Sequence, residues 1–201
     1  MARRTQEART KATTKALLDA ARTLFGADGY SATSLSAIAR RAGVTKGALY
    51  HHYRDKQSMF EAVFEREQRR MAAAADQAYR AEQDSWSGIV ASCRAFFEIT
   101  LDIDVQRITV LDAPAVMGWE RVREIESHYG QRMLRHGLEQ AMRDDTVRPR
   151  PVEPIVALLI GAMCEGALLV ARSEDPAGTA GEVFEELRLQ LEALRQQPAR
   201  A

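Results

Sequence analysis

Apolar residues recur at three- and four-residue steps along nearly the whole 201-residue chain, and nowhere do they alternate convincingly with period two. The pattern predicts an all-α fold. A first helix is expected from about Glu7 to Ala27, with Leu17, Ala20, Ala21, Leu24 and Phe25 on one face and the run Gly26 to Gly29 ending it. Two short helices should follow, one starting after Thr33 or Ser34 and one after Thr45, divided by the tight turn Ala42-Gly43-Val44. A longer helix begins after Asp55. Further stretches at about 85–103, 105–111, 114–143, 153–173 and 178–196 are punctuated by Asp84 and Ser85, Asp112 with Pro114, Pro149 to Pro154, and Asp175 to Gly178. About nine helices result, divided between an N-terminal three-helix segment at 1–55 and a larger helical bundle at 56–201.

The segment from Ser34 to Tyr50 has the grammar of a helix-turn-helix. Leu35, Ile38 and Ala39 give its first helix an apolar face, Gly43 can take the positive φ of the turn, and Val44 and Leu49 anchor the second helix. Two helices this short bury little alone, so the first helix and the start of the fourth must complete the core, with Phe25, Tyr53, Phe60 and Val63 as plugs.

Charge strengthens that reading. The formal net charge is zero, yet residues 1–56 carry 11 Lys and Arg against 4 Asp and Glu, a net of +7, and the remainder carries −7. All four lysines, Lys11, Lys15, Lys46 and Lys56, lie in the basic part. A basic module ahead of an acidic body points to a polyanion at one end.

The second helix of such a motif meets the major groove with its N-terminal residues, here Thr45, Lys46 and Gly47. Lys46 and Lys56 each sit near a helix start, where the macrodipole disfavours a cation, so phosphate or guanine is expected beyond them. Thr33, Ser34 and the amides that follow form a further phosphate candidate. Gly47 leaves room where the helix approaches the groove. Tyr50 is expected on phosphate, with Tyr53 as the better-placed core aromatic, and His51 rather than His52 is expected to face DNA. Arg40 and Arg41 read as non-specific charge or salt-bridge partners rather than base readers, and Arg3, Arg4, Arg9 and Lys11 as either a minor-groove arm or a tail adding only charge.

These residues also carry a resemblance. Gly29-Tyr30, Thr33, Ile38-Ala39, Ala42 to Gly47, Leu49-Tyr50, Tyr53 and Lys56 resemble the N-terminal signature of the tetracycline-repressor (TetR) family over about residues 12–64, with Tyr53 where Phe is commoner. The resemblance implies a dimeric, all-helical DNA-binding regulator whose C-terminal domain binds a small molecule and releases its operator.

In the body, Trp119, Val122, Ile125, Tyr129, Met133 and His136 form one stripe on the expected long helix, and Trp86, Ile89, Cys93, Phe96 and Thr100 form another. The two stripes are expected to face each other. With the resemblance they become an effector site lined by Trp86, Cys93, Phe96, Trp119, Tyr129, Met133 and His136, or else plain core. The run Ile155 to Val170, apolar on nearly all sides and carrying small residues at Ala157, Gly161, Ala162 and Gly166, is expected to pack with the last helix in a four-helix dimer interface.

Cys93 and Cys164 lack metal-ligand spacing and read as free thiols. Neither a signal peptide nor a membrane span is expected: Glu165 and Gly166 interrupt the nearest apolar run. Nor does any catalytic constellation, metal site or cofactor motif stand out. The expected protein is therefore a cytoplasmic, non-enzymatic homodimer that binds double-stranded DNA and a small effector. A constitutive DNA-binding or architectural protein is the alternative.

Overall fold

The computed structural model describes residues 2–195, with side chains from Glu7 onward. It is helical throughout, with no strand among the described residues. The elements are α1 (Ala2–Ala32), α2 (Leu35–Arg41), α3 (Lys46–His52), α4 (Lys56–Ala81), α5 (Ser85–Ile99), α6 (Ile103–Val105), a π-helical run Gln106–Asp112, α7 (Ala113–Met117), α8 (Trp119–Ser127), α9 (Gly130–Arg143), α10 (Val152–Arg172) and α11 (Pro176–Glu192). Among the described residues this is close to the nine or so helices expected, the differences lying in the π-helical run and in the division of 114–143.

Local chemistry explains the boundaries. Ser34, Thr45, Asp84 and Asp175 cap α2, α3, α5 and α11 by accepting from backbone N–H groups inside each first turn. Gly29 breaks α1 three residues before its end with φ +79° and ψ 170°, a conformation L side chains rarely adopt. The single helix expected over 114–143 is three pieces instead. Gly118, at φ +80°, ends α7, and Tyr129, with φ −120° and ψ −100°, separates α8 from α9. Apolar periodicity ran across both breaks, but neither the positive φ of Gly118 nor the φ and ψ of Tyr129 are those of a helix.

The chain folds as two compact units. One comprises residues up to Glu67 together with Ile103–Val122, and the other Gln68–Asp102 with Arg123 onward. The division falls inside α4 rather than at 55/56, because nothing interrupts that helix between Lys56 and Ala81.

In the first unit Leu17, Phe25, Ile38, Leu49, Phe60, Val63 and Ile108 are all fully or almost fully buried. Phe25, Phe60 and Tyr30 stack edge to face and face to face, with centroids 5.1 to 6.0 Å apart. Tyr53, expected as a plug, is half-buried, and that burial raises its phenol pKa. Tyr30, also half-buried, lays its ring against Phe25 and Phe60.

In the second unit α5, α9, α10 and α11 enclose a core built around Trp86, Ile89, Phe97, Leu138, Met163 and Phe184. Gly166 lets α10 and α11 meet closely, since a Cβ there would fall 2.5 Å from Val183. Among the described residues α10 is the one helix long and apolar enough to cross a membrane, but Ile155, Leu159, Met163, Ala167 and Val170 are buried in this core. Its other side is bare: Leu158 is 76% exposed and Leu169 58%, and on α11 Leu189 is 55% exposed.

Candidate nucleic-acid interface

Helix α3 is seated by one residue. Leu49 is 1% exposed and locks the helix onto the first-unit core, which fixes what the opposite side presents. At about 100° per residue, Lys46, Tyr50, Gly47 and His51 sweep an arc of roughly 140° facing away from Leu49. All four are exposed, Tyr50 by 56%. Thr45 is exposed too, its Oγ1 accepting from the Ala48 N–H at 3.1 Å. All five residues are thus exposed, four of them on one arc of α3.

The turn leading there is also as expected. Gly43 takes φ +68°, and the N–H of Val44 donates to the Ala39 carbonyl at 3.0 Å, closing α2 against α3. No acidic residue lies in the first turn of α3, so Lys46 faces the positive end of the helix dipole unrelieved. An external anion would relieve it. Arg40 and Arg41 are exposed at the far end of α2. His52 differs from its neighbour: it is half-buried, with Nδ1 3.4 Å from Thr14 Oγ1 on α1. Thr10 and Lys11 lie one turn back from Thr14 on exposed positions of that helix, while the side chains of Arg3 and Arg4 lie outside the described residues.

Two of the expected contacts need correction. Thr33 is buried, and its hydroxyl donates to the carbonyls of Gly29 at 2.8 Å and Leu24 at 3.1 Å, so it ties off the end of α1 rather than holding phosphate. Ser34, exposed beside it, takes the cap. Lys56 is likewise turned inward. Its Nζ donates to the carbonyls of Tyr30 at 2.9 Å, Thr33 at 3.1 Å and Ser31 at 3.4 Å, and lies 4.2 Å from the Tyr30 ring centroid. The ammonium that looked misplaced at the start of α4 is well placed at the C-terminal end of α1, where unpaired carbonyls collect.

Replacing Lys56 with Met, of similar shape, should therefore act on stability. Charged hydrogen bonds of this kind contribute roughly 1.5–3 kcal/mol, which for a chain this size corresponds to a melting temperature lower by about 3–12 °C. The salt dependence of DNA binding should stay as in the wild type, because no phosphate contact is removed; a shallower slope would return Lys56 to the interface.

The residues expected at an effector site are dispersed. Trp86 and Cys93 are core, and burial pushes the Cys93 thiol up to about 12. Phe96 packs on that core edge to face with Phe97, while Tyr129 and Met133 are half-buried. The Tyr129 hydroxyl accepts from Arg69 at 3.2 Å. Trp119 is 56% exposed in the first unit and His136 is exposed on α9, so neither joins the others in a shared lining. What periodicity missed in this unit is a polar cluster. Arg123 donates to Glu126 at 3.0 Å and to the Cys164 sulfur at 3.3 Å, with burial raising the pKa of Glu126 and pushing Cys164 up to about 11.

Residues 17–63 match the family described as bacterial regulatory proteins, tetR family, and residues 86–194 match the tetracyclin repressor-like C-terminal domain. The chain belongs to the TetR family. The two matches cover α3 with its supporting helices and the core of the second unit, and they make the chain a DNA-binding transcriptional regulator. A TetR-family transcriptional regulator from Pectobacterium atrosepticum shares the fold with a TM-score of 0.82 and 29% identity, over 95% of this chain and 98% of that one. The transcriptional repressor Rv1474c of Mycobacterium tuberculosis is 26% identical over 166 residues, 80% of this chain and 83% of its own. The Tn10 TetC protein of Escherichia coli is 28% identical over 124 residues, and the chain aligns with 62% of its length.

Proposed function

We propose that the protein is a cytoplasmic homodimeric repressor that holds a palindromic operator by the exposed arc of α3 and releases it when a small apolar or aromatic molecule binds the second unit. The observation carrying the DNA half is the exposure of Lys46, Gly47, Tyr50 and His51 on one arc of α3, with Thr45 exposed at its N-cap, while Leu49 seats the inner side. Dimerisation is supported by the bare leucines of α10 and α11, which a second copy would cover in a palindrome-reading geometry, with recognition helices roughly 34–36 Å apart.

Lys46→Ala tests the interface directly. Operator affinity should fall and the slope of log K against log salt should flatten by about one unit, since one phosphate contact is lost. Unchanged binding across salt concentrations would remove α3 from the interface.

The effector half rests on Phe96 of α5 and Met133 of α9, two half-buried apolar side chains on helices that pack together, with Tyr129 adjoining. Trp119→Phe leaves Trp86 as the sole tryptophan and so as a reporter of the second unit. Apolar aromatic compounds that quench it and, at one hundred times their dissociation constant, stabilise the free protein by ~2.7 kcal/mol should weaken operator binding reciprocally. Compounds that quench and stabilise yet leave operator affinity unchanged would favour a constitutive DNA-binding protein.

A further inference from the structure

The structure assigns Asp112 to the DNA-binding machinery as a positioning residue that holds the entry to the helix-turn-helix, with the π-helical register of Gln106–Asp112 as the feature that brings it there. This rests on the reading that α3 meets DNA. The Gly29–Tyr30 junction, where α1 breaks before feeding α2, is gripped on three sides. The Tyr30 N–H donates to Asp112 Oδ2 at 2.7 Å, the Gly29 carbonyl accepts from the Thr33 hydroxyl at 2.8 Å, and the Tyr30 carbonyl accepts from the Lys56 ammonium at 2.9 Å. Two of these ties come from nearby in sequence, one from the link between α1 and α2 and one from the start of α4. The third comes from 82 residues downstream.

That downstream segment belongs to the same compact unit and lies along α1 at several points. Asp104 accepts from Arg22 at 3.0 Å and packs so tightly on Gly26 that a Cβ there would fall 2.4 Å from its Cγ. Arg107 donates to the Ala27 carbonyl at 3.2 Å, and Ile108, fully buried, lies between the two aspartates.

Both carboxylates reach α1 only because the helix is not α-helical throughout. At about 100° per residue, positions eight apart in an α-helix end up about 80° apart around its axis. The wider π turn, bonded i to i+5, takes in more residues and closes that gap. Asp104, Ile108 and Asp112 therefore share one side. A π register is rare because its packing is poor, and here it is what lets a segment outside the helix-turn-helix set where α2 starts, and through α2 where the exposed arc of α3 points.

The test uses a duplex selected from a random pool by the wild-type protein, with fluorescence anisotropy measured across salt concentrations. Asp112→Ala should weaken binding about tenfold or more, as expected for a lost charged hydrogen bond, without altering the salt slope. Asp112→Asn, whose amide oxygen can still accept from the Tyr30 N–H, should stay close to wild type. In parallel, amide exchange of Tyr30 should accelerate in Asp112→Ala while that of Val63, in the α4 core, is unchanged, which separates local release from unfolding. Wild-type affinity in Asp112→Ala, equal losses in the Ala and Asn variants, or unaltered Tyr30 exchange would each overturn the assignment. Lys46→Ala is the control: if it too binds as wild type, it is the α3 reading that has failed.

Discussion

Leu158→Asp and Leu169→Asp are each expected to yield a monomer that no longer holds a palindromic operator. The two positions are eleven residues apart on α10, which places them within about 20° of one face and roughly 16 Å apart along the helix. Leu158 is 76% exposed and Leu169 58% in the single chain, with Ala162 and Gly161 between them. Nothing lies within 4 Å of a Cβ built on Gly161, so a partner helix has room to approach. Burying one leucine contributes about 1.5–3 kcal/mol, and a two-fold interface buries two copies, so losing them corresponds to a dimer weakened by roughly a hundredfold or more. The aspartate adds a desolvation penalty. Since Leu158 and Leu169 are absent from the second-unit core, each monomer should keep its helicity and thermal transition. Sedimentation equilibrium at micromolar concentration gives the answer: if both variants remain dimeric, the two-fold interface is elsewhere.

Gly47→Ala should move stability and DNA binding in opposite directions. A glycine within α3 costs roughly 0.5–1 kcal/mol relative to alanine. The protein does not need it there: a Cβ would meet only Thr45 Oγ1, at 3.9 Å, an ordinary contact. Alanine should therefore raise the melting temperature by about 1–4 °C, while a methyl group on the arc shared with Lys46 and Tyr50 holds the helix off the groove. Gly47→Leu should sharpen the contrast, keeping the fold and abolishing operator binding. Operator affinity equal to wild type in both variants would mean that the arc does not approach DNA closely.

The fold class and the helix-turn-helix were legible in the sequence because their signals are local. Ser34 and Thr45 are caps by residue type, Gly43 is a turn glycine, and the alternation of Leu49 with exposed neighbours orients α3. The exposure of Thr45, Lys46, Gly47, Tyr50 and His51 was legible from their spacing around Leu49. Thr33 and Lys56 were misread because their partners are carbonyls at the end of α1, which no pattern in residues 33 or 56 announces. Lys56 is a cation at one helix start and, only in three dimensions, at another helix's end. Trp119 and His136 were misplaced for a different reason: spacing assigns a residue to a face of its helix but does not show whether that stretch of the face is covered, and both positions are exposed. Asp112 read as punctuation before Pro114, and its bond to the Tyr30 N–H depends on a π register that residue pattern does not reveal.

The first unit is not one stretch of chain, and this matters for anyone cutting the gene. A fragment ending at Glu67 carries α1 to α3 and most of their core, but it leaves behind Val105 and Ile108, both fully buried in the intact chain, together with Asp104 and Asp112. Grafting that fragment onto another regulator's body would keep every side chain of the exposed arc and hand the entry to α2 to whatever residues the new body supplies. Chimeras meant to rewire operator choice are better built by transplanting the arc alone, or by carrying residues 103–122 along. On the ribosome the same interleaving sets an order: the helix-turn-helix is synthesised early, but it waits for the 35 residues Gln68–Asp102 of the second unit and then for its own missing piece before its core can close.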